Sequence, residues 1–241
     1  MTGWIVVIPV KGTELAKSRL EVSRETRSAL ALAFALDTVR AVLAAEQVAE
    51  VLVVTASEVV DSAVRALGAG SMRESDAAGL NRSIEQAIAV AERNNPGAPV
   101  AVLLGDLPAL QPQDLDAALV AAAAHPRAMV ADAAGVGTVL LCARDVGTHA
   151  VRFGGRSRAA HLAEGYVELA VDVRSGLRRD IDTVEDLTAA RALPLGAETR
   201  RVLERHAIAG SANPTGASTG SAIPKGASAG SAIPKGATPS S

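Results

Sequence analysis

Three short runs dominated by β-branched and other apolar residues constrain the fold more than any other feature: WIVVIPV over 4–10, EVLVVT over 50–55 and PVAVLL over 99–104. Each has the length of a strand, and the first is stopped by a proline before a polar segment. Alanine- and leucine-rich stretches at helical spacing separate them. Helices are predicted over 24–44, 58–66, 80–93 and 112–124. In 80–93, Leu80, Ile84, Ala87, Ile88 and Ala91 share one face, and Asn94-Asn95-Pro96-Gly97 ends the helix. Further strands are predicted over 128–131 and 137–142 around a turn at 133–135, and over 167–173. Residues 68–71 read as a turn, and helices over 183–193 and 197–206 close the body. Strands alternating with helices specify an α/β chain with three layers around a largely parallel sheet.

The chain has 241 residues, of which 49% are hydrophobic and 2% aromatic, so alanine, valine and leucine must supply the core of one large domain. A net charge of −2 gives no basic field for nucleic acid. The one cysteine, Cys142, lies in an apolar run, which predicts a buried inert thiol and excludes an internal disulfide or a thiolate zinc cluster. No basic leader followed by a long apolar region opens the chain, and no apolar run approaches eighteen residues. A soluble, cytoplasmic protein with no membrane partner is expected.

Composition changes near Gly210. GASTGSAIPK over 216–225 recurs over 226–235 with one change, Thr219 to Ala229. Such a repeat has too little apolar bulk to offset its ordering entropy. The expected organisation is a folded domain over 1–209 and a disordered tail over 210–241.

Five segments carry the candidate chemistry. Lys11-Gly12 and the following Lys17 and Arg19 make a basic loop after the first strand, at a sheet edge where phosphates commonly bind, although the loop lacks the GxxxxGK[ST] signature. Asp106 follows a fully apolar strand in LLGDLPAL and reads either as a metal carboxylate or as a turn aspartate. Asp180 and Asp182, spaced i and i+2 on extended backbone, point to one side and could share a divalent cation with it. The structural alternative makes Asp182 the cap of the next helix, with Glu185 completing a capping box. RFGGRSRAAH over 152–161 reads as a glycine-rich turn entering a helix with Ser157 near its start, suited to a small anion. Thr138 nearby offers a hydroxyl, and an ordinary basic loop is the alternative. Asn81 either caps the helix it opens or bonds a base or ribose. The four histidines show no ligand spacing.

The segments IPVKGTELAKSRL, GLNRSIEQA, LLGDLPAL, GVGTVLL, RFGGRSRAAH and DIDTVEDL occur in this order over 4–192. Together they resemble the guanylyltransferases of coenzyme F420 biosynthesis that act on phosphoenolpyruvate or 2-phospho-L-lactate. The resemblance implies a three-layer, Rossmann-like nucleotidyltransferase fold with a mostly parallel mixed sheet, akin to the molybdenum-cofactor guanylyltransferases. It implies GTP as one substrate and a small phosphoacid as the other, with pyrophosphate released and the product passed to a downstream transferase. Lys17 and Arg19 would then lie by the GTP phosphates, with Lys11, Gly12 and Asn81 as further nucleotide contacts. Asp106, Asp180 and Asp182 would hold Mg²⁺, and Thr138, Gly154 and Ser157 would contact the phosphoacid. Lys17, Arg19 and Asp106 would be the catalytic residues. The Asp180-Ile181-Asp182 triplet also resembles the DxD of metal-dependent glycosyltransferases, and a nucleotide-binding module without catalysis is the non-enzymatic alternative.

Overall fold

The computed structural model describes residues 3–11, 20, 22–74 and 79–211. Among them a seven-stranded sheet forms with the order β3-β2-β1-β4-β6-β5-β7. The strands are β1 (Trp4–Pro9), β2 (Val48–Thr55), β3 (Gly70–Arg73), β4 (Val100–Leu103), β5 (Arg127–Ala131), β6 (Thr138–Ala143) and β7 (Val167–Glu168). β1 pairs in parallel with β2 and β4, β2 with β3, and β5 with β7. β6 runs antiparallel to both β4 and β5. The sheet is therefore mixed and mostly parallel.

The helices are α1 (Arg24–Leu43), α2 (Glu58–Ala66), α3 (Leu80–Asn94), α4 (Pro112–Ala122), α5 (Ser157–Ala163), α6 (Val184–Ala190) and α7 (Ala197–Ser211). Alternate residues of β1 serve opposite faces. Trp4, Val6 and Ile8 pack with Val39 and Val42 of α1, Val60 of α2 and Leu115 of α4. Ile5 and Val7 pack with Ile84 and Ile88 of α3 and with Phe153 and Tyr166. Three layers result. A third cluster joins Phe34 of α1 to Ile181, Leu187 of α6 and Val202 of α7. The buried Asp37 carboxylate of α1 accepts the Glu198 and Thr199 amides at 3.0 and 2.8 Å, fastening the start of α7.

Three local expectations are corrected. Residues 70–73 form edge strand β3 rather than a turn. Only Gly68 takes the left-handed conformation, at φ 95°, and β2 supplies a hydrogen-bonding edge that this polar segment could not advertise. The strand expected over 167–173 pairs only at Val167–Glu168, because Asp172 turns the chain by accepting the Arg174 amide at 2.8 Å. Helix α6 is capped by Thr183, which forms a reciprocal box with Asp186, so Asp182 and Glu185 are not its cap. Cys142 is buried as expected, and burial pushes its thiol pKa up. No described helix is long and apolar enough to cross a membrane. The repeat tail beyond 211 lies outside the described residues, and α7 runs past the expected 209/210 boundary to Ser211.

Candidate active site

From β1 the strand order runs outward through β2 and β3 on one side and through β4 on the other. In open α/β sheets ligands bind beyond the strand ends at such a divergence. A cleft of about 680 Å³ opens there. Pro9, Val10 and Lys11 from the end of β1 and Leu104, Gly105 and Asp106 from the end of β4 line it. Glycine is required at 105. A Cβ there would stand 2.8 Å from Val10 Cγ2 and 3.1 Å from the Pro9 carbonyl oxygen, blocking the approach that places Asp106 beside β1.

The Asp180-Ile181-Asp182 segment reaches the same place through its backbone. The Ile181 amide donates to the Asp106 carbonyl at 3.2 Å, while the Ile181 side chain is fully buried. Side chains alternate along extended chain, so Asp180 and Asp182 project to the side opposite Ile181, and both line the cleft. The structure thus brings Asp106, Asp180 and Asp182 around one space. Among the described residues no three or more Asp, Glu, His or Cys side chains close into a metal cage. A Mg²⁺ bound here would draw on one or two carboxylates and take its remaining oxygens from substrate phosphates and water, and these hard oxygen donors suit it.

The opposite wall exists because β6 is antiparallel. Its first residue, Thr138, arrives at the edge where β1 and β4 end. In an all-parallel sheet that residue would lie at the far edge. Thr138 and Ser157 are nearly inaccessible, at 1% and 3% exposure, yet both line the cleft with Phe153, Gly154 and Gly155. Ser157 is the first residue of α5, and Arg156 before it makes no side-chain cap. α5 has seven residues, too few for a full macrodipole, so hydroxyls and loop amides carry more of any anion affinity than the helix end does.

Two side chains grip the glycine-rich loop. Asn81 donates its amide Nδ2 to the Phe153 carbonyl at 3.0 Å and accepts the Phe153 amide at 2.9 Å. It does not cap α3, whose N-cap is Gly79 at φ 74°. The capping reading is therefore corrected: Asn81 is a loop clamp. His161 accepts the Arg152 amide on Nε2 at 3.0 Å and contacts Thr138 Oγ1 through Nδ1 at 2.9 Å. Burial, aided by the Arg152 and His149 charges, lowers its pKa to about 4, so the ring is neutral near pH 7. His149 is lowered to about 4 by burial, against the Val100 carbonyl that favours its charged form and with help from Arg127.

Asp132 is a cleft residue that sequence reasoning missed. It follows the apolar end of β5 as Asp106 follows β4, and that parallel was the available signal. Its carboxylate accepts the Val136 and Gly137 amides at 2.9 and 2.7 Å, shaping the turn that delivers Thr138. Arg178 reinforces this turn by donating to the Ala131 and Asp132 carbonyls at 3.0 and 2.7 Å. Lys11 is exposed at the cleft. Gly12, Lys17 and Arg19 lie outside the described residues.

The architecture is shared with solved synthases of low sequence identity. A 4-diphosphocytidyl-2C-methyl-D-erythritol synthase superposes with a TM-score of 0.56 at 12% identity, covering 80% of this chain and 99% of that one. The same enzyme from Anaerococcus prevotii gives 0.55 at 12% identity, over 79% of this chain and 95% of its own. These likenesses establish the fold, a three-layer α/β sheet. Sequence comparison narrows the class. Residues 4–210 match the family model described as "Guanylyl transferase CofC like". A Streptomyces coelicolor protein named phosphoenolpyruvate guanylyltransferase is 45% identical over 209 residues, covering 86% of this chain and 99% of that protein. One from Thermomonospora curvata with the same name is 43% identical, over 84% of this chain and 89% of its own. The chain belongs to the CofC-like guanylyltransferase family and is a nucleotidyltransferase.

Proposed function

We propose that this enzyme transfers the guanylyl group of GTP to the phosphate of phosphoenolpyruvate, releasing pyrophosphate, as a step of coenzyme F420 biosynthesis, with 2-phospho-L-lactate as the second choice of acceptor. The acceptor assignment draws on the names of the relatives. The observation that carries the reading for this chain is the Ile181–Asp106 backbone bond. It sets three aspartates on one side of a cleft whose other side presents two sheltered hydroxyls, Thr138 and Ser157.

The residues fit the reaction. The attacking phosphate oxygen is already an anion, so the step needs no general base, and the buried His161 and half-buried His149 are engaged with backbone and hydroxyl groups instead. The difficulty is bringing two polyanions together in a cleft that Asp106, Asp132, Asp180 and Asp182 also line. Mg²⁺ held by Asp106 with Asp180 or Asp182 would neutralise phosphate charge and polarise the α-phosphorus. Lys11 adds a cation at the end of β1, and Lys17 and Arg19 follow it in sequence. Thr138, Gly154 and Ser157 seat the phosphoacid and set it in line with the bond that breaks. A product of this kind is an activated ester suited to a downstream transferase.

The test is pyrophosphate release from GTP with phosphoenolpyruvate, 2-phospho-L-lactate and 3-phosphoglycerate side by side, with and without Mg²⁺. The reading expects Mg²⁺-dependent turnover that is fastest with phosphoenolpyruvate. Release that ignores all three acids would overturn it.

A further inference from the structure

We propose that His161 is a positioning residue: through Nδ1 it donates to Thr138 Oγ1 and so leaves the Thr138 hydroxyl proton to donate to an oxygen of the phosphoacid in the cleft. The inference rests on the reading above that the phosphoacid sits against Thr138.

The argument is an accounting of protons. A backbone amide can only donate, and the Arg152 amide lies 3.0 Å from His161 Nε2, so that nitrogen carries the lone pair. A neutral imidazole has one N–H, which is therefore on Nδ1. Nδ1 stands 2.9 Å from Thr138 Oγ1, and that oxygen must accept. Its own proton is left to point elsewhere, and Thr138 lines the cleft. A freely rotating threonine could serve a bound group as donor or acceptor. With His161 donating to it, this one has its proton to give and one lone pair fewer to receive with, which suits phosphate and carboxylate oxygens. The ring itself is fixed. His161 is fully buried, with Phe153 and Tyr166 edge-on at 5.1 and 5.6 Å between ring centroids. Burial keeps it uncharged, so the single N–H is preserved at working pH.

Two substitutions separate its two bonds. The asparagine amide overlies the Nδ1 side of a histidine, and the glutamine amide reaches the Nε2 side. His161→Asn can keep the donation to Thr138, whereas His161→Gln can keep only the acceptance from Arg152. The phosphoacid KM should rise at least threefold more in His161→Gln than in His161→Asn, while the GTP KM moves less than twofold in both. In a cycle with Thr138→Val, the His161→Gln effect should nearly vanish, since it acts through the hydroxyl that Thr138→Val removes. Equal KM changes in the two His161 variants, or effects that multiply fully with Thr138→Val, would overturn the proposal. If Thr138→Val itself leaves the phosphoacid KM unchanged, the substrate reading is what fails. A measurement on the unsubstituted enzyme guards against misfolded variants. The ¹⁵N spectrum of the histidine rings should show His161 protonated on Nδ1, and a proton on Nε2 would refute the assignment.

Discussion

Replacing Asn81 with alanine separates a loop clamp from a base-recognition residue. The native amide makes two hydrogen bonds to one residue, Nδ2 to the Phe153 carbonyl at 3.0 Å and Oδ1 from the Phe153 amide at 2.9 Å. Each is worth about 0.5–1.5 kcal/mol net, and a buried backbone group left unpaired costs about 1–3 kcal/mol. Phe153 is 8% exposed, so water replaces the lost partners poorly. A destabilisation of roughly 2–4 kcal/mol follows. For a domain this size that lowers the melting temperature by about 4–16 °C. Phe153 immediately precedes Gly154, so the loosened loop should raise the phosphoacid KM several-fold. The ratio of kcat/KM for GTP to that for ATP should stay within about twofold, because the clamp faces the protein backbone rather than a base. Urea unfolding and steady-state kinetics with both nucleotides would be read on the same preparation. Unchanged stability together with a collapsed GTP preference would refute this reasoning and assign Asn81 to the guanine.

Asp106→Asn should fold normally and lose at least a hundredfold in turnover, since it removes one charge from the proposed Mg²⁺ site; near-normal rates at ordinary Mg²⁺ would remove Asp106 from that role. Gly176→Ala should lower the urea midpoint by an amount equivalent to about 1–3 kcal/mol, because a Cβ there would overlap the Ala109 carbonyl on the segment leading from Asp106. Stability should fall on acidification from pH 6.5 to 4. His161 has a folded pKa lowered from 6.5 to about 4, so the unfolded chain binds the extra proton across that window. The loss from this group is roughly 3 kcal/mol at most, and a flat urea midpoint between pH 6.5 and 4.5 would contradict the buried neutral ring.

Much of this molecule is local. The β-branched runs at 4–10, 50–55 and 99–104 are buried on both faces, so their periodicity survives without tertiary help, and α2 ends where its pattern ends. The strand-end position of Asp106 was likewise legible, because an apolar run followed by Gly-Asp can only deposit the carboxylate at a sheet edge. Even the order of six short segments pointed to the family. Edge strands were not legible. β3 and β7 owe their pairing to a neighbour's free backbone groups, and neither carries enough apolar alternation of its own.

The sequence by itself determined the three layers, the buried thiol and the set of aspartates, since each depends on side-chain type and local spacing. Only the tertiary structure decided which of these residues meet. The antiparallel course of β6 carries Thr138 to the edge that Asp106 already occupies, and a backbone bond from Ile181 brings the second pair of aspartates there. The structure also gave Asn81 and His161 their roles, because their partners lie 72 residues away at Phe153 and 23 residues away at Thr138. Hydrogen bonds of that kind depend on packing two elements against each other, and no local pattern along the chain encodes them.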